Sequence, residues 1–307
     1  MTPQEAGARI SVESLASLRA HPAFRAACEA VAADATRYFA ALEPTYQWVT
    51  KDLGRSAISF SALVLHHMGR LTMQALTASC LANGVSSAGR VQQLVRRCID
   101  VGAMTLAEGE GVWTRRPLGV APALVQSLRG RAAIDIAALR LLEPEAAALL
   151  SLIESDEGFA SYVLCVAVIT GVRRDLFAFS QPSSVAYFLD REAGMTLLFD
   201  LIGAQPPVRE RFMQTARLSR YALARRYGVS RAHINKLFAE SGHVEAGAGS
   251  LTFSPELSEA MEAHFALTFE LNRRAAEVLG SGWRAPPPEA PAAPVGRPAR
   301  RRGPQAR

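Results

Sequence analysis

The sequence is poor in the features that announce chemistry. Its four cysteines, Cys28, Cys80, Cys98 and Cys165, are scattered, with none of the paired spacing of a zinc site or redox motif, so they are expected as reduced, buried thiols. There is no glycine-rich phosphate loop, no Gly-x-Ser-x-Gly elbow and no His-Glu-x-x-His, and the acidic residues form no evident pair. His66 and His67 are adjacent, so on a helix they point about 100° apart, and no carboxylate or cysteine stands at ligand spacing from them. No catalysis, metal or cofactor is therefore expected. The chain does not open on a basic segment followed by an apolar core and a cleavage site, and its longest apolar run, FASYVLCVAVITGV at 159–172, falls short of the roughly 18 to 20 residues of a membrane span. That run reads as a buried helix, and the protein as cytoplasmic.

What is present is enough apolar material for two domains: 307 residues, 49% hydrophobic and 20% charged. The net charge of +6 is unevenly placed. From residue 281 the chain carries Arg284, Arg297, Arg300, Arg301, Arg302 and Arg307 against Glu289 alone, a net +5, so the body is almost neutral. Any contact with nucleic acid must come from local clusters. The segment 281–307 is rich in proline, alanine and arginine, cannot bury enough apolar area to offset its ordering entropy, and is expected as a disordered basic tail.

One stretch has a distinctive rhythm. In YALARRYGVSRAHINKLF (221–238) a helical pattern stops at Gly228 and restarts at once. Ala224 is small where two helices would approach, Gly228 can take positive φ, Val229 plugs the corner, and Ser230 can cap a second helix that buries Ile234 and Leu237. Arg231, His233, Asn235 and Lys236 are left for the other faces. This is the pattern of a helix-turn-helix.

The pattern occurs twice. In 71–104, Leu71-Thr72 answers Leu218-Ser219, Ala75-Leu76 answers Ala222-Leu223, and Gly84-Val85-Ser86 answers Gly228-Val229-Ser230. The next helix buries Val91, Leu94, Val95 and Cys98 and shows Arg90, Gln93 and Arg97 on another face, with Ser87 at its start. Each copy then continues as a short hairpin and a helix begun by proline, with Leu118, Val120, Pro122, Leu124 and Leu128 matching Leu251, Phe253, Pro255, Leu257 and Met261. Further helices are expected near 23–42, 56–69, 121–129, 133–153, 159–179, 184–202 and 255–279. The fold class expected is mainly α: two winged helix-turn-helix units with small β-hairpin wings on a shared helical body, related by a pseudo-twofold axis. The halves are 1–153 (winged helix about 56–129) and 154–280 (about 206–270), followed by the tail.

Residues 71–120, above all SSAGRVQQLVRRCIDVGAM, resemble the winged helix of the MarR family of bacterial transcriptional regulators, and 218–257 resemble a shorter member of the same class. That family forms homodimers with a shared helical body, each subunit offering one winged helix to half of a palindrome. The resemblance implies that this chain carries both winged helices itself and reads a pseudo-palindromic site on double-stranded DNA as a monomeric pseudo-dimer. It also implies a small-molecule effector pocket between body and winged helices, although no residue pattern singles one out. The base-reading residues would be Ser87, Arg90, Gln93 and Arg97 in the first unit and Arg231, His233, Asn235 and Lys236 in the second, with the helix ends capped by Ser87 and Ser230 turned to the DNA backbone. Arg225 and Arg226 would clamp phosphates, and Arg115 and Arg116 would reach the minor groove or its phosphates. The wings depart from the family: both first-wing arginines fall after the Gly109-Glu110-Gly111 turn, and the second wing has Glu245 but no arginine or lysine. Two rivals stand beside a transcriptional regulator: a plasmid-type replication initiator with tandem winged helices, and a winged-helix protein-interaction scaffold.

Overall fold

The computed structural model describes residues 1–110, 112–177, 184–247 and 249–287. The chain is mainly helical, with two small antiparallel sheets. It opens with α1 (Pro3–Ala8), α2 (Val12–Ala20), the long α3 (Phe24–Ala41) and α4 (Pro44–Val49). A first series follows: α5 (Leu53–His67), α6 (Met73–Ala82), α7 (Ala88–Asp100), β1 (Met104–Leu106), a 3-10 turn at Trp113–Arg115, β2 (Leu118–Val120) and α8 (Pro122–Leu139). Then come α9 (Ala146–Leu152), α10 (Asp156–Val172), α11 (Arg174–Phe177) and α12 (Ser184–Leu189). A second series has α13 (Gly194–Gly203), β3 (Thr215–Ala216), α14 (Arg220–Arg226), α15 (Arg231–Ser241), β4 (Val244–Ala246), β5 (Leu251–Phe253) and α16 (Pro255–Gly280). No described helix is long and apolar enough to cross a membrane.

The two series share their order of helices and hairpin strands, and differ in that the second has a short strand, β3, where the first has a single bridge, and the first has a 3-10 turn within its hairpin. In the second, β5 lies between β3 and β4, with Val244 opposite Phe253 and Thr215 opposite Thr252. In the first, Met104 faces Val120 across β1 and β2, and the segment before α6 lies on the other side of β2, where Leu118 N–H donates to Leu71 O at 2.9 Å and Thr72 bridges Pro117. Leu118, Val120, Leu251 and Phe253 are all buried, and Pro122 and Pro255 each occupy the first position of the following helix, where a missing N–H costs nothing.

Packing crosses the middle of the chain. The first series has its own core around Leu76, Val91, Val95, Met104 and Leu124. The core of the second gathers Leu197, Leu223, Ile234, Leu237, Phe253 and Phe265, and into it α3 inserts Phe24, Cys28, Val31 and Phe39. A third core joins α1, α10 and the end of α16 to Leu63 of α5. Thus α3 packs on α13 and α10 on α5, while α8 lies against α16. The expected helix at 159–172 is buried on nearly every face as part of α10, and all four cysteines are buried free thiols.

Four expected helices differ in extent. Residues 121–129 and 133–153 are one helix to Leu139 and a second from Ala146, broken around Pro144 rather than between 129 and 133. Gly130 sits inside α8 because a Cβ there would fall 2.3 Å from the Tyr38 hydroxyl of α3; the glycine serves a close helix approach, not a break. The stretch 184–202 is divided at 190–193 into α12 and α13, and the helix expected over 159–179 ends at Val172, with 178–179 outside the described residues. Residues 281–287, expected in the tail, are held to the body: Trp283 packs on the third core and Ala285 N–H donates to Ser161 Oγ at 3.2 Å. The rest of the expected tail, 288–307, lies outside the described residues.

Candidate functional site

Both series place a short helix, a tight turn and a second helix in the same local geometry. Gly84 and Gly228 have φ of 65° and 58°, which closes the first helix without a Cβ penalty. Val85 N–H then donates to Cys80 O at 2.9 Å, and Val229 N–H to Ala224 O at 3.0 Å, so Cys80 and Ala224 are equivalent positions. Each valine packs on the core of its own series. Four hydroxyl caps are formed, the expected ones at Ser87 and Ser230 among them: Thr72, Ser87, Ser219 and Ser230 each accept from the backbone N–H three residues on. Because Ser87, not Ser86, caps α7, the first turn is one residue longer, and the sequence match of Ser86 to Ser230 does not carry into the structure.

The second helices bury the expected stripes, Val91, Leu94, Val95 and Cys98 in α7 and Ile234, Leu237 and Phe238 in α15. What they leave outward is mainly cationic and amide-bearing, with one exposed carboxylate towards the end of each helix, Asp100 and Glu240. Among the described residues, Gln93, Arg97, Arg115, Arg225 and Arg231 are exposed and their side chains make no hydrogen bond or ion pair. Lys236 is exposed, 3.6 Å from Glu240, and Asn235 Oδ1 accepts from Arg220 Nη1 at 3.1 Å. A shallow groove along α7 is lined by Trp48, Gln92, Gln93, Arg96 and Arg97, with Asp100 also on its wall.

Other expected site residues have structural work. Arg90 Nη2 donates to Asp52 Oδ1 at 2.8 Å, the buried carboxylate that also caps α5, so the Arg90 guanidinium is tied at one end while its side chain stays 43% exposed. His233 Nε2 lies 3.0 Å from Glu192 O. Arg226 binds both oxygens of Asp200 on α13, at 2.6 and 2.7 Å, and the buried Tyr227 hydroxyl is 2.7 Å from the same carboxylate. Burial, reinforced by Asp200, pushes the Tyr227 hydroxyl well above the usual phenol range, while the Asp200 charge holds Arg226 more firmly protonated than usual. Arg116 folds back on its own hairpin, donating to Ala107 O through Nε at 2.8 Å and through Nη2.

Some outward residues were not singled out beforehand. Arg96 belongs to the exposed 89–93–96–100 stripe of α7 and its guanidinium lies 5.3 Å from the Trp113 ring centroid, so it joins helix to hairpin. Helical spacing from Gln93 would have found it. Arg220 and the exposed Tyr221 begin α14 beside α15. No protein-family model, no curated protein and no solved structure matches the chain.

Proposed function

We propose that the chain is a sequence-specific DNA-binding transcriptional regulator, built as two tandem winged helices on one helical body. The observation that carries this reading is the pairing of a recurrent element series with a recurrent charged face: each series presents a serine-capped second helix whose outward residues, Gln93 and Arg97 in one and Arg231, Asn235 and Lys236 in the other, are suited to base edges and phosphates. In this reading α7 and α15 enter successive major grooves, about one helical turn or 10 to 10.5 base pairs apart. Arg225 and Arg220 meet phosphates, and the two hairpins are the wings. The first wing offers Arg115 and an Arg96–Trp113 stack; the second offers only Glu245 at β4, so the grip is unequal and the site imperfectly palindromic. Arg90, His233 and Arg226 hold the reading helices in place and leave base contact to their neighbours.

Selection from a random duplex pool at physiological salt, followed by footprinting, tests this. Enrichment of a bipartite site is expected. Gln93→Ala/Arg97→Ala and Arg231→Ala/Lys236→Ala should each weaken binding to it at least about 10-fold, on the order of 1–3 kcal/mol per lost base contact. A pool that returns no enriched sequence would sink the reading.

A further inference from the structure

The halves of the chain meet at a junction that no motif announces. Residues 50–52 lead into α5 and residues 190–193 lead into α13, so the two loops hold the same place in the two series. They are joined twice. Ala193 N–H donates to Lys51 O at 3.1 Å, and Lys51 Nζ lies 2.9 Å from Glu192 Oε1, with the lysine side chain 13% exposed and the glutamate 42%. Each loop also holds the first turn of the second helix of its own series: Asp52 takes Arg90, and Glu192 O takes His233. Arg90 and His233 stand three residues after their capping serines, so they are equivalent positions. A continuous path of contacts therefore runs from the start of α7, through Asp52, Lys51 and Glu192, to the start of α15.

Two further observations mark the junction. Ala193 has φ 62°, the one positive value at a residue other than glycine among those described, and a backbone held in that region persists where its surroundings over-determine it. The chain has 34 lysines and arginines, of which only Lys51 and Lys236 are lysines. A compact ammonium fits a closed loop-to-loop contact where a guanidinium fork would need more partners.

We propose that Lys51 and Glu192 are positioning residues for DNA: their ion pair fixes the separation and phase of α7 and α15, and so sets the spacer the chain accepts between two half-sites. This rests on the functional reading above. Removing one base pair from a spacer shifts the half-sites by about 3.4 Å and rotates them by about 34°, so a junction that gives by a few ångströms admits neighbouring spacers. The other contacts between the halves limit the effect, which should be about 3- to 5-fold.

The test uses the selected bipartite site with spacers shortened and lengthened by one and two base pairs, against the full chain and its Lys51→Met, Glu192→Gln and Lys51→Glu/Glu192→Lys variants. The wild type should prefer one spacer. Each single variant should compress that preference about 3- to 5-fold while keeping its affinity for an isolated half-site, and the exchange should restore part of it. Reductive methylation read by mass spectrometry reports the junction directly, because Lys236 is 70% exposed and should react at once, whereas Lys51 should react slowly and be accelerated by Glu192→Gln. Single variants with the spacer profile of the wild type would overturn the proposal and leave the functional reading intact, as would a loss of isolated half-site affinity that accounts for the change. A wild type that selects no DNA overturns both.

Discussion

At the scale of single residues, burial of ionisable groups sets how the fold responds to acid. Burial lowers His67 from 6.5 to about 4, with His66 adding to it, and lowers His264 to about 4, with Arg131 adding to it. His67 Nε2 is buried without a hydrogen-bond partner among the described residues, and the Asp156 charge offsets only part of the cost of burying a protonated ring there. The folded chain keeps both rings neutral down to about pH 4, whereas the unfolded chain takes up protons near pH 6.5. Between those limits the unfolded state binds more protons, so stability falls as pH is lowered and levels off below about 4. Each histidine should cost roughly 1–2 kcal/mol between pH 7 and 5, allowing for partial exposure. Urea denaturation at the two pH values should show the loss, and His264→Gln should remove its share of it. An unchanged pH difference in that variant would refute the assignment.

At the scale of elements, helix starts were legible in the sequence because a hydroxyl cap is a local device. Thr72, Ser87, Ser219 and Ser230 need only their own backbone neighbourhood to act. The buried stripes of α7 and α15 were legible for the same reason, since spacing along one helix decides which side chains share a face. The continuity of α8 through Gly130 was not legible because it depends on Tyr38, 92 residues away in sequence, nor was the break at 190–193, which is fixed by a partner loop around Lys51. Among the candidate site residues, types and spacing gave the outward set, but the diversion of Arg90, His233 and Arg226 to Asp52, Glu192 and Asp200 depends on tertiary partners no local pattern encodes. The caps allow a separation of stability from binding. Ser230→Ala should cost about 1 kcal/mol in thermal or chemical denaturation. Ser230→Asp keeps a capping oxygen and should stay within about 0.5 kcal/mol of the wild type, yet its carboxylate at the start of a proposed reading helix should repel phosphate and weaken DNA binding. Binding by Ser230→Asp equal to the wild type would argue that this helix end faces away from the duplex.

At the scale of the whole molecule, the recurrent series do not behave as two beads on a string, because each borrows helices across residue 154. The core of the second series includes Phe24, Val31 and Phe39 of α3 beside Leu197, Leu198 and Leu201 of α13, while Leu63 of α5 is buried with Phe159, Val163 and Ile169 of α10. Cutting the chain at 154 would expose both sets at once. Full burial of one such side chain is worth roughly 1.5–3 kcal/mol, so losing several is comparable with the 5–15 kcal/mol that normally separates a folded domain from its unfolded state. The full chain should therefore unfold in one cooperative transition by calorimetry, and fragment 154–287, which loses α3 from its core, should be unfolded alone and regain helical circular dichroism when refolded with fragment 1–153. The alternative, in which the series are autonomous and only tethered, gives two resolved transitions and a folded C-terminal fragment. The interlocked arrangement is also what a fixed separation of α7 and α15 requires: the Lys51–Glu192 contact can tune that separation only if the helices behind it form a frame that does not hinge.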